Sequence, residues 1–257
     1  MENAIPVIPG NKIHLEALPY KYPMRSSTTL DAEIRQIEAC MKQKFPRVEL
    51  RGLREDWVSI VGFGPTLLET WKEVTHPCMT VSGAHDFMIG RGFFPDFHAE
   101  CDGRDHKTKH LEKPNGSTIY LMASICNQKM WEQLKGHRVM YWHNANGKHV
   151  VEWIEKNDPG GILVAGGSVI GLTAIHLAGL IGFRKFKLFG IDGNFKEGKR
   201  HAGTHFGPPQ KTIQRGKWQT TPQMSNACDE LMWLHKGYPE LQFEIYGDSL
   251  QKEVFNS

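Results

Sequence analysis

An α/β fold of the Rossmann-like type is what this sequence predicts: a mostly parallel sheet, helices on both faces and a long C-terminal lid loop. Three observations carry the prediction. Short apolar runs alternate with helix-like stretches along most of the chain, several of those runs end in glycine, and the stretch from Ser168 to Ile181 is apolar nearly all round. Strands alternating with helices build parallel βαβ units. Glycine at a strand's carboxyl end lets the backbone turn sharply into the next helix. A helix without a polar face is one pressed between a sheet and its neighbours.

The elements follow in order. Residues 1–28 carry Pro6, Pro9, Pro19 and Pro23 with little periodicity and read as an extended arm. Asp31 to Lys44 has Ile34, Ile37, Met41 and Phe45 near helical spacing, with Thr28 or Thr29 as cap and Pro46 as stop. Strands are predicted at Trp57–Val61, Cys78–Val81, Phe97–Cys101, Thr118–Met122, Arg138–Trp142, Gly161–Ala165, Phe186–Phe189 and Gln242–Tyr246. Helices are predicted at Leu67–Val74, from Ala84, at Ser168–Ile181 and at Gln223–Lys236. Residues 193–222 hold almost no aliphatic side chain apart from Ile213 and read as a lid. The chain thus divides into an N-terminal arm and helix, 1–50, and one domain, 51–257.

Composition narrows the classes. Hydrophobic residues at 40% and charged residues at 23% make an ordinary globular chain and exclude disorder, collagen and coiled coil for the whole. A net charge of +3 is too small to announce a nucleic-acid binder. Five scattered cysteines, odd in number and without a CxxC, argue against a disulfide framework and for a reducing compartment. No basic and apolar leader opens the chain, and the longest apolar stretch, Val169 to Phe183, falls short of the roughly 20 residues of a membrane span. The expectation is a cytoplasmic protein without a membrane partner, in host cytoplasm were it phage-encoded.

Four constellations carry chemistry. In Val61-Gly-Phe-Gly-Pro-Thr-Leu67, Gly62 and Gly64 turn a strand into a helix, Pro65 presets its first turn and Thr66 offers a capping hydroxyl. Such a corner aims backbone N–H groups at an anion, although the third glycine and the later acidic residue of the dinucleotide fingerprint are missing. Gly166, Gly167 and Ser168 form a second corner, and Ser82 and Gly83 end another strand. In Pro95–Asp105, Asp102 closes a strand, and with Glu100 and Asp105 it is a candidate for Mg²⁺ or a ribose hydroxyl. His106 and His110, four apart, lack a third zinc ligand and read better as a solvated charged helix. Asp192 closes one more strand, and the lid after it supplies Lys199, Arg200, His201, His205, Lys211 and Arg215. A basic, histidine-bearing loop beside anion corners can neutralise a leaving phosphate and offer a general base. Each constellation also has a bland reading, as a tight turn, a satisfied cap or a solvated loop.

Taken together, Val61–Leu67, Phe94–Asp102, Gly166–Ala178 and Leu180–Asp192 resemble, in this order, the 6-hydroxymethylpterin diphosphokinase MptE-like family. That family also includes flagellar motility accessory factors and many phage proteins, and its core is similar to that of Campylobacter-type sialyltransferases. The resemblance spans roughly Trp57 to Phe195. It implies a Rossmann-like transferase with a nucleotide-linked donor, metal-free in the sialyltransferase-like members and ATP- and Mg²⁺-dependent in the pterin enzyme. It also implies that Ser168 contacts the donor and that a lid histidine, His201 or His205, is the base. Phe63 stands where sialyltransferase-like members have a donor-touching Asn, and 193–222 lacks their phosphate-binding tyrosines.

The leading expectation is a glycosyltransferase using a UDP- or CMP-linked sugar. His201, His205 and Asp102 are its catalytic candidates, and Gly62, Gly64, Pro65, Thr66, Ser82, Gly83, Gly166, Gly167, Ser168, Asp192, Lys199, Arg200, Lys211 and Arg215 its donor-binding ones. The phage-type relatives suggest a modified DNA base as acceptor, near Lys211, Arg215, Lys217 and Trp218. The alternative is diphosphate transfer from ATP to a pterin-like alcohol, with Asp102 and Asp192 on Mg²⁺. A non-catalytic nucleotide-binding module is the third reading. A homo-oligomer is compatible with all three.

Overall fold

The computed structural model describes residues 28–145, 147–165, 167–204 and 210–257. The chain runs α1 (Leu30–Lys42), β1 (Trp57–Val61), α2 (Leu67–Thr70), β2 (Cys78–Val81), α3 (Ala84–Ile89), β3 (Phe97–Glu100) and β4 (Ile119–Ala123). It continues with α4 (Gln128–Gln133), β5 (Arg138–Ala145), α5 (Lys148–Asn157), β6 (Leu163–Ala165), α6 (Ile170–Leu180) and β7 (Lys185–Phe189). The last elements are β8 (Ile213–Arg215), β9 (Trp218–Thr220), α7 (Pro222–Gly237), β10 (Gln242–Ile245) and α8 (Leu250–Phe255).

Eight strands form one parallel sheet in the order β10-β7-β1-β2-β3-β4-β5-β6. The Rossmann-like expectation holds, and every predicted strand is present. Val58 to Val61 and all of β2 are buried on both faces, as parallel strands covered by helices must be. The chain steps outward from β1 to β6, then α6 carries it back across β1, β2 and β3 to lay β7 on the other side of β1. That reversal makes a topological switch point between β1 and β7, where the loops beyond the strand ends part and leave a crevice.

Nine of the eleven residues of α6 are buried, Gly171 to Gly179, which explains its missing polar face. Thr29 caps α1 by accepting from the Ala32 N–H at 3.3 Å. Ile37 and Cys40 of α1 join the same core as Ile60, Leu121, Trp142 and Phe186. Three features differ from expectation. Helices α4 and α5 stand where no helix was expected. The lid is not structureless, because β8 and β9 pair antiparallel around Gly216 at φ +58°. The segment Asp105–His110 is a 3-10 turn with His110 buried, not a solvated helix.

Candidate functional site

Two corners meet at the switch point, and they are packed against each other. The Gly64 N–H donates to the Gly190 carbonyl at 2.7 Å. A Cβ on Gly62 would stand 2.5 Å from the Gly190 oxygen, and one on Gly64 2.5 Å from Asp192 Oδ2. These glycines therefore answer a close approach between the loops after β1 and β7. Asp192 closes the N-terminus of α2: the Thr66 N–H donates to Oδ2 at 2.8 Å and its hydroxyl to Oδ1 at 2.5 Å. Burial pushes the Asp192 carboxyl up to about 6, against the pull of the Thr66 hydrogen bonds.

The second corner is closed in the same way. Ser168 was expected as a helix cap and donor contact, but α6 begins at Ile170 and Ser168 gives both its groups to Glu230 on α7. Its N–H donates to Oε2 at 2.8 Å and its hydroxyl to Oε1 at 2.8 Å. At each corner one residue's N–H and hydroxyl thus meet a carboxylate of the chain itself. Neither Glu230 nor its role is signalled locally, since it lies 62 positions from Ser168.

Beyond the carboxyl ends of the strands lies a cavity of about 750 Å³. Gly64, Ser168 and Asp102 share its wall, with Arg200, His201 and Lys211 from the lid. Gly62, Ser82, Gly167 and Asp192 also line it, whereas Pro65, Thr66, Gly83, Lys199 and Arg215 stand off the wall. Lys199 sits on an exposed turn bridged to Lys196. Arg215 is tied to Asp229 at 2.6 Å and to the Ser225 carbonyl. The Trp218 ring N–H donates to Glu253 at 2.8 Å and Lys217 lies 3.7 Å from the same carboxylate. Gly166 and His205 fall outside the described residues.

Phe63 organises the lid side. The His201 ring stacks on it at 5.5 Å and 18°, and Phe87 and His110 meet its edges. A Cβ on Gly83 or Gly203 would stand 2.5 or 2.8 Å from this ring, so both glycines make room for it. The Ala202 N–H donates to the Phe63 carbonyl at 2.9 Å, pinning the lid to the first corner. Ser82 Oγ lies 2.7 Å from His110 Nδ1. Burial, with the charges of Lys107 and His106, pushes the His110 imidazole down to about 3.

The loop after β3 supplies charge. Asp102 is braced by Arg104, whose Nε and backbone N–H reach Oδ1 at 2.9 and 3.0 Å and whose Nη2 reaches Oδ2 at 2.5 Å. Burial pushes the Asp102 carboxyl up, but these bonds and Lys107 at 3.9 Å outweigh it and hold it below the usual carboxylate value. Glu100, which ends β3, also lines the cavity. It is buried, accepts from the Cys101 N–H at 2.9 Å, and leaves Oε2 without a partner among the described residues. Burial pushes it up to about 7, against the charge of Lys107. Asn144 Oδ1 and Gln251 Nε2, also buried on this wall, are orphaned likewise. Such atoms are costly unless something polar reaches them.

For Mg²⁺ the fit is poor as the side chains stand. Asp102 is engaged by Arg104 and Asp192 by Thr66, and no three His, Cys, Asp or Glu gather as a metal nest among the described residues. An ion carried on a nucleotide's phosphates needs no such nest. No helix among the described residues is long and apolar enough to cross a membrane.

Comparison with known proteins places this geometry. Residues 32–198, more than half of the chain, match the model of the family described as 6-hydroxymethylpterin diphosphokinase MptE-like. The solved structure of the MAf glycosyltransferase from Magnetospirillum magneticum AMB-1 superposes with a TM-score of 0.62 at 16% identity. The match covers 88% of this chain and 38% of that one, so the chain spans well under half of that protein's length. This likeness shows the fold. No curated protein matches the chain.

Proposed function

Because the chain belongs to the 6-hydroxymethylpterin diphosphokinase MptE-like family, we propose that it is a transferase acting on a nucleotide-activated donor, and specifically a glycosyltransferase. The observation that carries this reading is the cavity at the switch point, where an α/β sheet binds its ligand and where the cationic lid start and the strand ends share one wall. That the structural neighbour is a glycosyltransferase supports the sugar as the transferred group.

In this scheme an acceptor hydroxyl enters beside His201. The imidazole takes its proton as the oxygen attacks the anomeric carbon, the bond from that carbon to the donor's phosphate oxygen breaks, and the nucleotide leaves with the electron pair. Arg200 and Lys211 neutralise the charge that develops on it. His201 is held for this by its stack on Phe63, which replaces a polar donor contact by an aromatic platform.

A thermal-shift panel of UDP-, CMP- and GDP-sugars and ATP, each with and without Mg²⁺, tests the reading, since a ligand of the folded state raises the midpoint by mass action. At least one nucleotide sugar is expected to shift the wild type. His201→Ala should keep that shift and lose turnover. A shift with ATP and Mg²⁺ alone would favour diphosphate transfer to a pterin-like alcohol, and no shift with any nucleotide would end the proposal.

A further inference from the structure

The anion corners of this fold are closed, and the positive charge lies elsewhere. Thr66, at the N-cap of α2, and Ser168, two residues before α6, already face Asp192 and Glu230. A phosphate placed at either corner would meet a carboxylate. Arg104 and Lys107 from the loop after β3 and Arg200 from the lid line the same cavity, and the Arg104 and Arg200 charges act on each other. Arg200 makes no hydrogen bond or ion pair among the described residues, although it is half-buried. Burial and the Arg104 charge pull its guanidinium below the ordinary arginine value. Two like charges held near each other in a concave wall are stabilised by an anion between them.

Charge counting says which anion. Arg104 and Lys107 share the one carboxylate of Asp102, so the three cations and Asp102 together carry a net charge of +2. Glu100 behind them is buried, and its charged form is disfavoured there. A phosphodiester carries one negative charge and a diphosphate ester two.

We propose that Arg200, Arg104 and Lys107 form a diphosphate-binding subsite of this cavity, with Asp102 as the positioning residue that orients the Arg104 fork. The proposal rests on the nucleotide-donor reading and narrows it to nucleoside diphosphate conjugates over nucleoside monophosphate ones.

Calorimetric titration of the full chain with inorganic pyrophosphate, inorganic phosphate, UMP and UDP at fixed ionic strength tests it. Pyrophosphate is expected to bind at least tenfold tighter than phosphate, and UDP at least tenfold tighter than UMP. Arg200→Gln and, as a second variant on the 3-10 turn after β3, Lys107→Ala should each weaken pyrophosphate about tenfold. Glu230→Gln should leave it within twofold. The proposal is overturned if Arg200→Gln and Lys107→Ala both leave pyrophosphate binding intact, or if Glu230→Gln tightens it tenfold, which would put the anion at the second corner. If pyrophosphate binds through Arg200 while no nucleotide does, the subsite stands and the nucleotide reading falls. If nucleotide sugars bind equally well to wild type and Arg200→Gln, the nucleotide reading stands and the subsite falls.

Discussion

Glu100→Gln should make this protein more stable at pH 8 and should change how stability depends on pH. Glu100 is buried at the end of β3 with one oxygen unpartnered among the described residues, and burial raises its carboxyl from the ordinary 4.5 to about 7. A carboxyl raised on folding binds more protons in the native state than in the unfolded one, so stability falls as pH rises between the two values. Below pH 4.5 both states are protonated and the group contributes nothing. Above pH 7 both are ionised and the native state bears the whole cost. The gap from 4.5 to about 7, at about 1.4 kcal/mol for each pH unit, amounts to about 3 kcal/mol. Glutamine keeps the acceptor that the Cys101 N–H uses and removes the charge. Urea titrations of both proteins at half-unit steps from pH 4.5 to 8 isolate the effect, because Asp192, which titrates in the same direction to about 6, is common to both. The expected curves converge near pH 4.5 and diverge by about 3 kcal/mol at pH 8. Parallel curves, or a variant weaker at pH 8 than the wild type, would refute the reasoning.

Three further outcomes are expected. Thr66→Val removes the hydroxyl that serves Asp192 at 2.5 Å and should cost about 1–3 kcal/mol at pH 7 in urea, a loss that shrinks once Asp192 is protonated below pH 5. Phe63→Ala takes away the platform under His201, Phe87 and His110. It should cost about 2 kcal/mol and bring fast tryptic cleavage at Arg200, which limited proteolysis against wild type would show. Asp158→Ala should cost about 3–5 kcal/mol in thermal or urea melts, because the buried carboxylate accepts from Tyr141 at 2.9 Å and His143 at 2.9 Å and pairs with Arg47. In that chain the His143 Nδ1 also lies 2.8 Å from Ser124 Oγ, but Ser124, His143 and Asp158 are all sealed in the core. The network is therefore structural, whatever its likeness to a hydrolase triad.

The strands were legible because each is a short apolar run flanked by glycine or proline, and burial on both faces of a parallel sheet writes that pattern locally. Helix α5 had a signal that was passed over, Val150, Trp153 and Ile154 at helical spacing, all of which pack on the core. The β8–β9 hairpin had a signal, Gly216-Lys217 between Arg215 and Trp218, a two-residue turn that a composition-led reading of the lid passes over. At the site, the glycine corners were legible but their purpose was not. Gly64 looks like room for a phosphate, and its neighbour is Asp192, 128 positions away along the chain and adjacent across the switch point. The closures by Asp192 and Glu230 depend on such distant pairings, so no local spacing announces them. Arg200 was visible as one basic residue among many, and what sets it apart from Arg215 and Lys196, both ion-paired, is its lack of a partner among the described residues.

The N-terminus of α8 is tied to the loop after β7: the Leu250 N–H donates to Asn194 at 2.8 Å and the Gln251 N–H to the Asp192 carbonyl at 2.9 Å. These partners lie 56 positions apart for the first bond, and β10, which pairs with β7, lies between them along the chain. During synthesis the loop carrying Asp192 therefore leaves the ribosome well before the segment that clamps it. The nascent polypeptide carries an unfinished rim until α8 emerges, and competence should arrive in a single late step.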